Sequence, residues 1–498
     1  MNEETLIFDR LTRKLLVIAI CCIGALTLVT VPLVRSLWLD ETVTTWVISG
    51  DWIQAWHRAV TFQAQSPLYF LLIKMWPFSG DFGLISASLI FGALSGFGVY
   101  LTVKELLGRD AALFSILLLL TNIDLLKVSI QIRPYSLGLV GAAWSPLLLF
   151  WWLRYKETRY LVLHFLLALI AFYSHYLFSL IAIGFPIILY FWGNQTFWRR
   201  YFIGASLTAL LSLPGIYHLI WWSRKAGDSL FLPTPDFATF LKLILPLYTV
   251  VLLIFSTIAA ALFTKKFIIV RSWKTLALAL VWVVGGSLIL FFASWFFGSS
   301  LYIDRYLSWR LSGVVLFSTL VLLLFRDQRG QRIFIAAYLF FAFQQTIERK
   351  WFLEEWSTVA ALARDSENIP VILYSGLRES EKLPDEESPE LKEFLASPLI
   401  HYGVRLEQIS VIPGFADSIS ATKYLQGVSA VSKKMAQSFL LVINDQPIFL
   451  KGQAVINPKT GLISFFEKEG AQCELFRSVG QQFEELVKVY RCDWRLDK

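Results

Sequence analysis

Apolar runs of about twenty residues recur along the chain until residue 347 and then stop. A run of that length crosses the hydrocarbon core of a bilayer as one helix. In lipid, only helices and closed barrels satisfy their own backbone polar groups. The recurrence therefore predicts an α-helical polytopic membrane domain over residues 1–347 and a soluble domain over 348–498. Eleven spans are expected, over about 15–37, 82–103, 111–130, 136–153, 160–174, 176–193, 201–222, 239–263, 275–297, 307–325 and 332–347. The run Pro67–Trp76 is only about ten residues long and contains Lys74, which suits an interfacial helix better than a span. No small-residue cleavage site follows residues 15–34, so they are read as a retained first helix and not a signal peptide.

Charge follows the same division. The chain carries a formal +8, which taken alone would point to nucleic acid. Residues 1–347 hold 27 Lys and Arg against 15 Asp and Glu, whereas residues 348–498 hold 18 against 22. With an inside N-terminus, 17 of those 27 basic residues fall in inner segments, as short membrane loops require. The charge is thus a topology signal, and no nucleic-acid partner is expected. An odd number of spans then puts residues 348–498 outside. The sequon Asn194-Gln195-Thr196 falls inside and the outer domain has none, which favours a bacterial inner membrane with a periplasmic C-terminal domain.

The C-terminal domain reads as α/β. Glu354–Arg364 and Gln481–Leu486 suit helices, and Val371–Tyr374, Phe439–Ile443 and Val487–Arg491 suit strands. Cys473 and Cys492 lie on the oxidising side, where a disulfide is able to form, and the sequence leaves their pairing open. No metal-ligand spacing and no phosphate-binding glycine loop occurs, so ATP-driven chemistry lacks support.

Charged residues at span ends are costly and mark candidate sites. Asp40 and Glu41 follow the first span beside Trp38. They read either as a general base or as a solvated span end capping the stretch Thr42–Trp52. Arg133, Pro134 and Tyr135 end the third span, where Arg133 suits an anion or a snorkelling anchor. His175 lies in the tight turn between the fifth and sixth spans, and Asp304-Arg305-Tyr306 opens the tenth. All of these fall on the outer face. Asp124 and Lys127 within the third span leave a transporter or flippase as the alternative, although no repeat of broken spans supports it. A non-catalytic scaffold is the other.

Taken in order, Asp40-Glu41, Ser66-Pro67-Leu68-Tyr69, Arg133-Pro134-Tyr135, Ser174-His175-Tyr176 and Arg305-Tyr306-Leu307 resemble the GT-C superfamily of polyprenyl-phosphate-sugar-dependent glycosyltransferases. The likeness is greatest to the protein-mannosyltransferase and aminoarabinose-transferase branch and covers residues 10–325. It implies a lipid-linked sugar donor, a hydroxyl acceptor of unspecified kind (lipid, glycan or protein), and transfer on the outer face with inversion. It also implies Asp40 as catalytic base with Glu41 as neighbour or substitute. Arg305 and Tyr306 would lie at the donor phosphate, with Arg133, Tyr135, His175 and Tyr69 lining the substrate site. Two departures stand out: Gln65-Ser66 replaces a His-Pro pair common in relatives, and Gln131 replaces a Glu. Both remove metal ligands, so no cofactor is called for and a divalent metal is disfavoured.

Overall fold

The computed structural model describes residues 8–63, 65–225, 234–244, 247–263, 272–298, 300–325, 327–347, 355–366, 369–414, 419–445, 458–480 and 487–495. By its contacts the chain divides into two units. Within the described residues the first holds 8–33, 56–225 and 234–347, and the second holds 34–55 and 355–495.

Among its described residues the regular elements of the first unit are all helices, and a helix occupies each position where an apolar run was expected. Among the described residues, five helices are long and apolar enough to cross a bilayer: Arg10–Thr30, Gly80–Leu107, Tyr135–Tyr155, Gln195–Trp222 and Trp273–Phe297. The count is seven if each of two bent pairs forms one span. Thr158–Ser174 and Tyr176–Trp192 are shorter apolar helices, and Leu311–Leu322 and Gln328–Ile347 complete the series.

Two boundaries differ from the expected ones for local reasons. The first helix starts at Arg10, where the Asp9 carboxylate caps the Thr12 N–H, and ends at Thr30 and not near residue 37. Val31 precedes Pro32, and proline disfavours helical backbone in the residue before it. The third expected span, 111–130, is bent by 60° between Thr121 and Ile123. Asn122 is extended there, and its side chain accepts the Leu125 N–H at 2.8 Å, so a new helix starts in the middle of the apolar run.

Close packing in this unit rests on a few small residues. A Cβ on Gly141 would sit 2.5 Å from the Leu167 carbonyl and 2.6 Å from the Ala171 nitrogen. Only glycine there lets Tyr135–Tyr155 approach Thr158–Ser174 backbone to backbone.

The second unit carries a five-stranded sheet: β1 (Val371–Tyr374), β2 (Ile409–Val411), β3 (Ser438–Asn444), β4 (Ala471–Val479) and β5 (Val487–Trp494). Their order is β2-β1-β3-β5-β4, with β2, β1 and β3 parallel and β5 and β4 antiparallel. β1 and β3 are buried on both faces, as the central strands of a parallel sheet must be. Phe439, Leu441, Tyr490 and Trp494 pack with Leu462 and Phe466 of the Pro458–Lys468 helix. Cys473 and Cys492 are paired across β4 and β5 and form a disulfide. The helix expected over Glu354–Arg364 runs Trp356–Asp365, whereas residue 354 and the helix expected over 481–486 lie outside the described residues.

The 34–55 loop packs within this second unit. Its helix, Leu39–Ser49, sets Trp46 edge-on to Phe394 at 5.4 Å, and Thr45 hydrogen-bonds His401 at 3.1 Å. The Leu37 N–H donates to the Tyr402 hydroxyl at 2.6 Å.

Candidate active site

Candidate residues occur in both units. In the second, Asp40 and Glu41 form the first turn of Leu39–Ser49, where carboxylates complement the positive end of a helix. The two differ sharply. Glu41 is fully buried, and Arg35 donates to both of its oxygens at 2.6 Å. Its Oε2 also accepts the Trp38 N–H at 3.0 Å, which satisfies the backbone donor at the start of the helix. Glu41 is thus spent on holding the helix start. Asp40 is partly exposed, and its backbone carbonyl accepts the Thr44 hydroxyl at 3.0 Å. Asp40 is thus the more accessible of the two carboxylates. Sequence reasoning missed Arg35. Its only signal was a cation six residues before Glu41, across a segment whose backbone path a sequence does not reveal.

In the first unit, five of the expected residues, Arg133, Tyr135, His175, Arg305 and Tyr306, converge. Arg133 precedes the Tyr135–Tyr155 helix, His175 ends Thr158–Ser174, and Arg305 and Tyr306 lie in the short Asp304–Arg310 helix. The His175 ring lies 5.2 Å from Tyr135, 5.0 Å from Tyr306 and 5.3 Å from Phe178. The two tyrosine rings are 6.3 Å apart. The Arg133 guanidinium sits 5.9 Å from the Tyr135 ring and that of Arg305 5.6 Å from Tyr306, both within cation–π range. Two cations thus flank one aromatic wall. Arg133 is buried and donates to the Gln63 side-chain oxygen at 2.9 Å. Gln63 was also missed, because a single amide carries no pattern.

His175 is 92% buried, and its Nδ1 has no hydrogen-bond partner among the described residues. Burial, with the Arg133 and Arg305 charges close by, pushes the pKa of this turn residue down to about 3. The ring is neutral at physiological pH, which suits a hydrogen bond to a hydroxyl or phosphate and not proton donation.

Tyr69 lies on another helix. It is buried in the Leu68–Lys74 helix, edge-on to Phe70 at 5.7 Å. Gln65, one of the two departures noted above, is also buried, and its Oε1 has no partner among the described residues. Asp124 lies within electrostatic reach of Asp304 and Arg310 as well as Lys127, so the intramembrane pair read from sequence is part of a larger charge group. Among the described residues, no three His, Cys, Asp or Glu side chains group as metal ligands would.

Residues 66–222 match the family model of dolichyl-phosphate-mannose-protein mannosyltransferases. The matched segment holds Tyr69, Arg133, Tyr135 and His175, whereas Asp40, Glu41, Arg305 and Tyr306 lie outside it. The glycosyltransferase likeness read from the motifs is therefore found again, over this segment, by an independent comparison. No curated protein matches the chain. Among solved structures, the Archaeoglobus fulgidus oligosaccharyltransferase in complex with zinc and sulfate is similar at 13% identity and a TM-score of 0.44. That match covers 86% of this chain and 67% of the other.

Proposed function

We propose that this chain is an integral membrane glycosyltransferase that moves a sugar from a polyprenyl-phosphate donor to a hydroxyl acceptor. The observation that carries the reading is the pair of arginines, Arg133 and Arg305, on one wall of Tyr135, His175 and Tyr306. A donor of this class presents a phosphate, a sugar and an apolar tail. Guanidinium groups suit the phosphate, and aromatic faces suit the sugar ring.

In the proposed step, Asp40 takes the proton of the acceptor hydroxyl. The acceptor oxygen bonds to the anomeric carbon as the bond from that carbon to the phosphate oxygen breaks. The pair of electrons leaves with the polyprenyl phosphate, whose growing charge Arg305 and Arg133 stabilise. The neutral His175 hydrogen-bonds a sugar hydroxyl or a phosphate oxygen. One base and one displacement give inversion at the anomeric carbon. The reading puts the site on the outer face of a bacterial plasma membrane, with the N-terminus in the cytoplasm and the C-terminal domain in the periplasm. The basic residues of the alternate loops and the Cys473–Cys492 disulfide support that orientation.

The test is purified protein in lipid vesicles with a radiolabelled polyprenyl-phosphate sugar and a crude pool of envelope acceptors. Release of label from the lipid into an acceptor, lost in Arg305→Ala, supports the enzyme. Movement of intact donor across the vesicle without release shows a flippase instead, and neither outcome shows a scaffold.

A further inference from the structure

We propose that the C-terminal unit holds an extended, acidic polypeptide segment as an added strand beside β2. The inference is independent of the glycosyl-transfer reading. β2 is the terminal strand of its sheet, and a cleft of about 680 Å³ lies against it. Ile409, Ser410 and Val411 all line that cleft. Successive side chains of a strand point to opposite faces, so a cleft running along the strand's edge is lined by all three.

The hydrogen bonds identify which peptide groups face it. The Ile412 N–H donates to the Leu373 carbonyl of β1 at 2.9 Å. By alternation Ser410 also faces β1, while the peptide groups of Ile409 and Val411 face the cleft. The Tyr424 hydroxyl donates to the Val411 carbonyl at 3.3 Å, at the place an incoming backbone N–H would occupy. An edge of this kind is a template for one more strand.

The walls indicate which strand. Val428 and Val431 of the Ile419–Met435 helix give an apolar side for alternate side chains. Lys392 and Lys423 outnumber Glu387, which pairs with Lys392, so the rim favours acidic residues. A polypeptide repeats its N–H and C=O groups at the spacing of a strand edge, which a saccharide does not. The helix also supplies a way to block the cleft: a Cβ on Gly427 meets nothing within 4 Å, and replacing a helical glycine raises helix propensity.

The experiment uses the full chain in detergent and a fluorescein-labelled octapeptide of alternating valine and aspartate, read by fluorescence anisotropy. Saturable binding is expected. A peptide with proline at alternate positions lacks the donating N–H groups and should bind at least about tenfold more weakly. Gly427→Trp should weaken binding by about tenfold or more, and Lys423→Glu by about three- to tenfold, with unfolding midpoints like the wild type. The proposal is overturned if no saturable binding occurs, if the proline peptide binds as well, or if Gly427→Trp and Lys423→Glu both bind unchanged. It is equally overturned if an acidic oligosaccharide binds this cleft and the peptide does not.

Discussion

Arg35 grips Glu41 with both guanidinium nitrogens, each 2.6 Å from a different carboxylate oxygen, and the two side chains are only 4% and 0% exposed. A bidentate pair this deep leaves each partner dependent on the other. Removing one strands a buried charge, which costs about 3–5 kcal/mol, whereas replacing both with apolar groups of similar volume is close to neutral. Arg35→Met and Glu41→Met should each lower the thermal unfolding midpoint of the detergent-purified protein strongly. The double variant Arg35→Met/Glu41→Met should recover most of that loss, apart from the missing helix cap. Additive losses in the double variant would show that the two side chains act separately.

Asp40 predicts the opposite pattern one residue earlier. It is partly exposed, whereas Glu41 is fully buried. Asp40→Asn should leave the unfolding midpoint near that of the wild type while lowering sugar transfer by about 10²- to 10⁴-fold, the usual contribution of a general base. Transfer at the wild-type rate in Asp40→Asn would end its assignment as base.

These two neighbours also show what a sequence does and does not disclose. Acids at the end of an apolar run stand out because charge is rare there. Which acid is buried depends on how residues 31–38 run outside any helix, and that path has no periodicity to read. Arg133, His175 and Arg305 were legible as a group because each starts or ends a helix, and counting spans puts all three on one face. Tyr69 carried a motif of equal appearance, and it is buried edge-on to Phe70. Periodicity located the helices of the first unit but not the bend at Asn122, which depends on one side chain capping a new helix. In the C-terminal sheet, the apolar strands β1 and β3 were found. β2 is only three residues long, and β4 is an edge strand with a largely exposed, polar surface, so neither presents a buried-strand pattern.

The disulfide permits a test of stability and compartment together. Cys473 and Cys492 are directly opposite in the β4–β5 register and 19 residues apart in sequence. A loop of that size restricts the unfolded chain enough to contribute about 3 kcal/mol. Cys473→Ser/Cys492→Ser should lower the stability of the C-terminal unit by about 2–4 kcal/mol, seen as an earlier unfolding transition or faster proteolysis of that unit. In whole cells, alkylation with a membrane-impermeant maleimide after reduction should label these two positions. Labelling only after the membrane is opened would place the C-terminal unit on the cytoplasmic side and overturn the proposed orientation.

His175 gives the pH dependence. Its folded pKa is depressed from 6.5 to about 3, chiefly by burial and then by Arg133 and Arg305. Between those values the unfolded chain binds a proton that the folded one refuses. Stability therefore rises with pH through this window, is complete above about pH 6.5, and falls as the pH drops below it. From pH 6.5 to pH 5 this one residue accounts for a loss of up to about 2 kcal/mol. His175→Gln keeps an amide able to hydrogen-bond but cannot titrate, so its unfolding midpoint should decline less over that range. Parallel midpoint curves for wild type and His175→Gln would show that the ring is protonated in the fold and that the arginines do not act on it. A neutral His175 also cannot serve as the acid of the reaction. Sugar transfer should then show no loss between pH 6 and 8 that His175→Gln removes.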